Sequence, residues 1–259
     1  MYSLNFILFA SFIFGSCIGS FLNVCILRIP NDISIAFPPS ACTKCNEPIK
    51  WYDNIPVLSY IFLMGKCRNC KTKISIQYPL VELFTGFMAF YTVLSFSLTI
   101  KTVFVFIFAC VLIVISVIDL HHQIIPDIIS LPGIPVFFVL AIILKEINFL
   151  DLVLGILLGG GILYLIAFLY YFFTKKEGMG GGDIKLLAMI GAFIGYKGIF
   201  FTIFFSSVLG TIIGIILIII KGRNMKYALP FGPFLSLGAL IYIYFGDFII
   251  YHYINFIRG

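Results

Sequence analysis

The chain has 259 residues, of which 61% are hydrophobic and 11% charged, and its formal net charge is +6. Soluble domains carry about 25% charged residues, so this composition excludes an ordinary soluble fold and favours several membrane-spanning helices. The excess positive charge is better explained by membrane topology than by nucleic acid, because the basic residues form no face interleaved with aromatic ones. We therefore expect lipid as a neighbour and no nucleic-acid partner.

Apolar runs long enough to cross a bilayer about 30 Å thick follow one another along the chain. The first, at residues 4–27, contains no charge and follows no basic segment, which predicts a retained span and not a cleaved signal peptide. Seven further spans are predicted, at residues 79–100, 102–118, 128–144, 150–173, 184–195, 199–220 and 234–254. The run at 184–195 is short for a full crossing, which leaves a tilted helix and a re-entrant segment as alternatives. The predicted fold is an all-α polytopic membrane protein with about eight spans.

The distribution of basic residues predicts the orientation of the spans. With the N-terminus outside, 13 of the 17 basic residues fall in inner segments and 4 in outer ones. This orientation places three polar features on the inner face. They are the insert at residues 29–78, the loop DLHHQIIPD at 119–127 and the glycine-rich segment before Asp183.

The insert contains two C-x-x-C pairs, CTKC at 42–45 and CRNC at 67–70. Two such pairs provide the four thiolates of a tetrahedral zinc site, with Cys42, Cys45, Cys67 and Cys70 as predicted ligands. An insert of this length builds little hydrophobic core, so a metal that links its two ends would help it to fold. Disulfides or redox chemistry are the alternatives, and a cytoplasmic location disfavours disulfides.

Acidic residues at the ends of spans are costly unless they are paired or functional. Asp119 ends the third predicted span, and Asp183 opens the sixth after a stretch, residues 178–182, in which four of five residues are glycine. Two carboxyl groups brought together would share one proton, which is the requirement for activating water in peptide hydrolysis. From the helix dipoles we expect Asp183 to be the readily ionised member and Asp119 the readily protonated one.

Each of these features also has a simpler explanation. Asp119 without a partner is an interfacial helix end, and Asp127 is as readily explained as a helix N-cap. His121 and His122 favour a plain loop over a proton relay. The glycines are either a helix-breaking linker or a permissive backbone that approaches an extended substrate. The pattern alone leaves these alternatives open.

Six motifs occur in order along the chain: GSFLNVCILRIP at 19–30, the two cysteine pairs, WYDNIPVLSY at 51–60, YPLVEL at 78–83, DLHHQIIPD at 119–127 and GMGGGDIKLL at 178–187. Together they closely resemble the bacterial type IV prepilin peptidases, also called prepilin leader peptidase/N-methyltransferases. The resemblance extends from about Gly15 to Gly195, and the later spans agree in number and character.

The resemblance implies an aspartyl peptidase of the GxGD type. Asp119 and Asp183 match the two catalytic aspartates, and Gly180 and Gly182 match the glycines of the catalytic loop. The implied reaction is cleavage of the basic leader of prepilins or pseudopilins after a glycine, followed by methylation of the new N-terminal amine with S-adenosylmethionine. The implied location is a bacterial inner membrane, with the active site facing the cytoplasm.

These features predict three parts of the chain: a first span at 1–28, a zinc-binding insert associated with methyl transfer at 29–78, and a membrane peptidase core at 79–259. The methyl-transfer site is the least defined, because no glycine-rich loop follows a strand. Glu82 in YPLVEL is a candidate to orient the substrate amine or the methyl donor. An ion pair with a neighbour such as Lys73 is the simpler explanation for Glu82.

Other functions remain as alternatives. The insert is purely structural if the chain is a peptidase only. A transporter would show an internal repeat or matched broken helices, which we do not find in the sequence. A zinc metalloprotease would need H-E-x-x-H, which is absent, and an open coordination position, which a four-cysteine site lacks. A pure assembly scaffold would tolerate the loss of either aspartate.

Overall fold

The computed structural model describes residues 2–175, 180–221 and 229–258. These residues are mostly helical and contain no β-strand, which confirms the predicted all-α class. The α-helices found within them are α1 (Tyr2–Arg28), α2 (Leu58–Phe62), α3 (Gln77–Phe96), α4 (Ile100–His122), α5 (Asp127–Leu144), α6 (Phe149–Thr174), α7 (Gly181–Lys221) and α8 (Gly232–Arg258).

Six helices of the described residues, α1 and α3 to α7, are long and apolar enough to cross a membrane. The eighth predicted span coincides with α8, whose apolar described part is Gly232–Gly246. The predicted spans at 184–195 and 199–220 correspond to the two helical parts of α7, which follow each other directly across a kink without a connecting loop. The kink is at Gly195, whose φ of 70° and ψ of 178° suit a residue without a Cβ.

The chain divides into two compact units, Met1–Val114 and Ile115–Gly259, and the division falls inside α4. In the first unit α1 packs along α3. Gly15 and Gly19 are four residues apart on one face of α1, a spacing that lets membrane helices approach closely. A Cβ on Gly15 would lie 2.5 Å from the Cβ of Ala89, and one on Gly19 would lie 2.7 Å from the Cα of Glu82. This contact sets Glu82 against α1.

In the second unit α7 contacts α5, α6 and α8. The side chains that follow Asp183 along the first half of α7 are fully buried, among them Leu186, Leu187, Met189 and Ile190. On the α6 side, Gly191 of α7 meets the backbone of Gly155 with no room for a Cβ. Packing therefore fixes the first half of α7, and the acid in its first turn is held in a defined position.

Candidate active site and metal centre

Asp119 lies on the last full turn of α4, and only 5% of its surface is exposed. The helix continues past Asp119 to His122, so the acid stands one turn before the helix end and not at the end itself. His121 and His122 are exposed at that end. The predicted plain loop is therefore wrong at these two residues, because they form the exposed end of α4 and the loop begins only after His122. Asp119 is the buried polar group of this last turn.

Asp183 lies in the first turn of α7, as predicted, and is half-buried. Its backbone amide donates a hydrogen bond to the carbonyl oxygen of Gly180 at 3.2 Å, which closes the start of the helix. The positive end of the helix dipole favours a negative charge at this position, whereas burial and the charge of Asp119 act against it.

The two aspartates, 64 positions apart in the sequence, come together in the second unit. Asp119 lies close enough for its charge to act on the carboxyl group of Asp183. Ile125, in the loop between α4 and α5, is their common neighbour. A Cβ on Gly182 would lie 2.8 Å from the Cβ of Ile125, and a Cβ on Gly232 would lie 3.4 Å from its Cδ1. Ile125 thus packs against the glycine that precedes Asp183 and against the glycine whose amide bonds to Asp119.

Gly232, at the start of α8, donates a hydrogen bond from its backbone amide to Oδ2 of Asp119 at 2.9 Å. The donor is 113 positions from the acid and belongs to another helix, so the dipole of the acid's own helix does not account for it. Because Oδ2 accepts this bond, a proton on Asp119 is favoured on Oδ1. Sequence reasoning missed Gly232, although its position between Phe231 and Pro233 at the start of an apolar run is a helix-start signal.

The two predicted catalytic-loop glycines have different surroundings. Gly180 precedes α7 in open space, with no atom within 4 Å of the position that a Cβ would take. Gly182 is helical and lies against Ile125, where a Cβ would meet the loop. The loop that contains Ile125 approaches α7 so closely that a residue with a Cβ does not fit at position 182. The expectation of a permissive loop falls partly on residues 176–179, which lie outside the described residues.

Asp127 is the first residue of α5, and the residue that caps this helix is Pro126. The carboxylate of Asp127 is not a side-chain cap but forms an ion pair with Lys185 of α7, whose Nζ lies 2.7 Å and 2.8 Å from its two oxygens. Lys185 follows Asp183 by two residues. The pair therefore joins the start of α5 to the first turns of α7.

The sulfur atoms of Cys42, Cys45, Cys67 and Cys70 all lie within 4.8 Å of one another. The Sγ atoms of Cys42 and Cys70, from the two different pairs, are 3.7 Å apart. Four sulfurs bonded to a tetrahedral zinc at about 2.3 Å would lie about 3.8 Å from one another. The four predicted ligands are thus brought together at a spacing that fits one tetrahedral metal ion.

The two cysteine pairs fold into matching turns. In the first, the amide of Cys42 bonds to the carbonyl of Glu47 and Asn46 has a φ of 56°. In the second, the amide of Cys67 bonds to the carbonyl of Thr72 and Lys71 has a φ of 56°. Each turn closes on a short antiparallel bridge, Ala41 with Pro48 and Lys66 with Lys73. The repeated turn presents both thiols of each pair to the same side.

Hydrogen bonds prepare two of these thiols for metal binding. The side chain and then the backbone of Thr72 lower the pKa of Cys70 to about 6. The backbone amides of Cys45 and Lys44 lower the pKa of Cys42. Thiolates are the metal-binding form of cysteine, so these hydrogen bonds favour the ligand state at Cys42 and Cys70. At Cys45 the backbone hydrogen bond with Glu47 acts in the same direction, but desolvation and the neighbouring thiols outweigh it and raise the pKa to about 11.

A cavity of about 500 Å³ lies in the first unit and is lined by residues of α1, the insert and α3. We refer to it as the insert cavity. Its lining includes Cys42 and Cys67 of the metal cluster and Glu82 of α3. Small-molecule sites commonly measure roughly 300–1,000 Å³, so the insert cavity is large enough for a cofactor-sized ligand.

Glu82 is a buried acid of the insert cavity, with 8% of its surface exposed. Its Oε2 accepts a hydrogen bond from the backbone amide of Val57 at 2.8 Å. In the described part of the chain no ion pair joins Glu82 to Lys73, so the simpler explanation is not supported. Val57 has a φ of 61°, unusual for a β-branched residue, and its amide is turned toward the acid.

Comparison with known proteins agrees with this arrangement. The bacterial peptidase A24 N-terminal domain matches residues 13–96, and the type IV leader peptidase family matches residues 106–215. A protein named prepilin leader peptidase/N-methyltransferase from Pseudomonas putida is 33% identical over 91% of this chain and 89% of its own length. A protein of the same name from Xanthomonas campestris pv. campestris is 34% identical over 93% and 92%. No solved structure matches the chain.

The chain therefore belongs to the type IV leader peptidase family. The resemblance drawn from the six motifs is confirmed, and the relatives cover nearly the whole chain. Membership in this family and the six apolar helices identify a multi-pass membrane protein.

Proposed function

We propose that this protein cleaves the leader of type IV prepilins or pseudopilins after a glycine and then methylates the new N-terminal amine. Relatives over most of the chain carry the name of both activities. The observation that carries the peptidase assignment is the meeting of Asp119 and Asp183, with the Gly232 amide bound to one of them. A scaffold has no need for two buried or half-buried acids so close to each other.

The proposed peptidase step needs one ionised and one protonated carboxyl group. The ionised aspartate takes a proton from water, the water oxygen attacks the scissile carbonyl carbon, and the protonated aspartate donates its proton to the carbonyl oxygen. Breakdown of the tetrahedral intermediate sends a proton to the leaving amine. Because the Gly232 amide occupies Oδ2 of Asp119, we assign proton exchange at this residue to Oδ1.

The position of the two acids along their helices suits a substrate cut at a membrane boundary. Asp119 lies three residues before the end of α4 and Asp183 two residues after the start of α7, both helices that are long enough to span. A prepilin carries a basic leader before an apolar helix, so its cleavage site lies at the same depth. The positive-inside count supports the cytoplasmic face of a bacterial inner membrane.

For the insert we propose zinc, held by Cys42, Cys45, Cys67 and Cys70, as a structural ion. All four positions are cysteine, and a closed four-thiolate shell leaves no position for a substrate. The ion would fix the two matching turns relative to each other and thereby form one end of the insert cavity.

We propose the insert cavity as the site of S-adenosylmethionine, which would supply the methyl group. The cavity has the volume of a cofactor site and combines an apolar lining with charged side chains, among them Asp53, Arg68 and Glu82. Arg68 and Asp53 form a two-fold hydrogen-bonded ion pair at 2.6 Å and 2.8 Å, which lowers the pKa of Asp53 and stiffens one wall. Glu82 is the proposed methyl-transfer residue within this cavity.

Mass spectrometry of the new N-terminus tests the proposal. Full-length protein in membranes is incubated with a prepilin, with and without S-adenosylmethionine. We expect a cut after the leader glycine in both samples and one added methyl group only with the donor. A cut without methylation would remove the methyltransferase assignment and leave the insert a structural role. No cut of a prepilin that a known relative cleaves would overturn the peptidase assignment.

A further inference from the structure

The lining of the insert cavity includes a residue with a buried hydrogen-bond acceptor that has no partner. Asn23 lies on α1 in the cavity lining, and 3% of its surface is exposed. Its side-chain oxygen, Oδ1, is buried and accepts no hydrogen bond in the structure. A buried amide oxygen without a donor costs about 1–3 kcal/mol, so its presence in a cavity wall needs an explanation.

The orientation of the Asn23 amide is fixed by its other half. The Nδ2 atom donates to the carbonyl oxygen of Tyr78 at 3.0 Å and to that of Gly19 at 3.3 Å. Exchanging the nitrogen and oxygen would place an acceptor against two carbonyl oxygens, which is unfavourable. The amide group therefore presents Oδ1, an acceptor, away from these carbonyls.

Glu82 of α3 packs against the face of α1 that carries Asn23. A Cβ on Gly19, four residues before Asn23 on α1, would lie 2.7 Å from the Cα of Glu82. Tyr78, whose carbonyl oxygen accepts a hydrogen bond from the Asn23 amide, lies one turn before Glu82 on α3, so Asn23 and Glu82 belong to the same helix contact. The Val57 amide occupies part of the carboxylate's capacity, and a carboxylate accepts about four hydrogen bonds. Two buried residues with acceptor groups, one of them able to carry negative charge, thus line the cavity.

A ligand for two acceptors has to be a donor, and a positive charge suits the carboxylate. We propose that Asn23 and Glu82 form a subsite for a primary ammonium group. This inference rests on the proposed methyltransferase function, in which two such groups occur: the new N-terminus of the cleaved substrate and the amino group of the methyl donor. Both have the same chemistry, three N–H donors on one cationic nitrogen, and the test distinguishes them.

The test uses the full-length protein in lipid nanodiscs and two direct binding measurements. The first measures the affinity for labelled S-adenosylmethionine alone. The second measures the affinity for a peptide with the mature N-terminus of a pilin, once with a free α-amine and once with that amine acetylated. The ratio of the two peptide affinities reports recognition of the ammonium group, and a merely structural role would leave this ratio unchanged.

Glu82→Gln and Asn23→Leu are the test variants, and Thr85→Val is the matched control. Thr85 is buried one turn further along α3, bonds only to its own helix at the carbonyl of Val81, and does not line the cavity. We expect each test variant to lose about tenfold or more in the free-to-acetylated ratio or in donor affinity, and Thr85→Val to change neither. Limited proteolysis of residues 29–78 verifies that the insert of each variant is folded.

Loss of the peptide ratio alone supports the proposal and identifies the substrate amine as the occupant. Loss of donor affinity alone supports it and identifies the amino group of the methyl donor. Wild-type values for both measurements in a folded Glu82→Gln or Asn23→Leu variant would overturn the proposal, and Asn23 would then serve a buried water. If the wild-type protein itself binds no methyl donor and transfers no methyl group, the proposed function fails and not only the subsite.

Discussion

The two units of this molecule assemble their functional groups in different ways. In the first unit the four cysteines come from two short turns, and each turn is closed by hydrogen bonds within about six residues. In the second unit the acid pair needs the end of α4, the start of α7 and the start of α8, which are distant in the sequence. The first arrangement is local, and the second depends on helix packing.

This difference has a consequence for sensitivity to mutation. A local turn keeps its shape when other parts of the chain change, but in the proposed zinc site the metal would hold the two turns together. A site formed by packed helices needs no metal, but it depends on small residues that let backbones approach, such as Gly182 and Gly232. Damage to the metal cluster should therefore affect methylation, and damage to the helix ends should affect cleavage.

The largest expected effect is the loss of cleavage in Asp119→Asn and Asp183→Asn. Each amide removes either the general base or the general acid, so we expect at least a thousandfold loss of leader cleavage. Methylation of a pilin supplied already cleaved should be retained. The measurement is single-turnover cleavage, with Asp151→Asn, an acid in the first turn of α6, as the control. Substantial cleavage by either variant would contradict the assignment of the dyad.

The pH dependence of wild-type cleavage sharpens the same assignment. A pair of carboxyls that shares one proton is active only between its two ionisations, so the rate should fall at both acidic and alkaline pH. The measurement is the cleavage rate against pH with membranes and substrate held constant. A rate that rises to a plateau with no second limb would contradict a shared proton.

The next effect is the loss of methylation in Cys70→Ser. Removing one thiolate from a four-cysteine shell should release the metal and unfold the insert, since the metal provides much of its stability. We expect the bound zinc to fall from one per chain to near zero and methylation to fall at least a hundredfold, while cleavage falls less than tenfold.

Cys17→Ser is the matched control for the cluster, because Cys17 is an exposed cysteine of α1 outside it. It should retain metal, methylation and cleavage. The measurements are metal analysis of the purified protein and the two activities on separate substrates. Equal loss of cleavage and methylation in Cys70→Ser would show that the two units do not work independently.

The local features were the ones that the sequence predicted best. The spacing of Cys42, Cys45, Cys67 and Cys70 is itself the signal for the metal cluster, because each turn is contained in a few residues. The helices were also predicted from apolar runs, with the start of α5 within one residue. The two spans predicted at 184–195 and 199–220 correspond to the two parts of α7, and they divide at Gly195 without a loop because a single glycine suffices for the kink.

The acid pair was predicted as two separate residues, and the resemblance to a family was needed to join them. The start of α8 has a sequence signal, but neither the contact of the Gly232 amide with Asp119 nor the buried Asn23 acceptor has one, because both depend on contacts between distant segments. The dipole of each acid's own helix takes no account of a donor from another helix, such as the Gly232 amide of α8. The protonation of a buried pair is decided by every donor that faces it, and those donors are found only in the three-dimensional structure.

Gly232→Ala should have an intermediate effect that is confined to cleavage. A Cβ at this position would lie 2.7 Å from Oδ2 of Asp119, so the carboxyl group has to move and its hydrogen bond weakens. We expect a tenfold to hundredfold loss of cleavage, in the range of about 1.4 to 2.7 kcal/mol of barrier height, with methylation unchanged. Gly161→Ala in α6 is the matched control, because a Cβ there meets nothing within 4 Å. Wild-type cleavage in Gly232→Ala would show that this contact does not position Asp119.

The smallest expected effect is that of Asp127→Asn, which removes the ion pair with Lys185. The two side chains are 58% and 35% exposed, and exposed pairs contribute about 1 kcal/mol or less because solvent and salt screen them. We expect less than about a threefold loss of cleavage at low ionic strength, and a smaller difference from the wild type at high ionic strength. The measurement is the cleavage rate of both proteins at two salt concentrations. A loss comparable to that of Asp183→Asn would mean that Asp127 takes part in the chemistry, and the proposed dyad would have to be extended to a third acid.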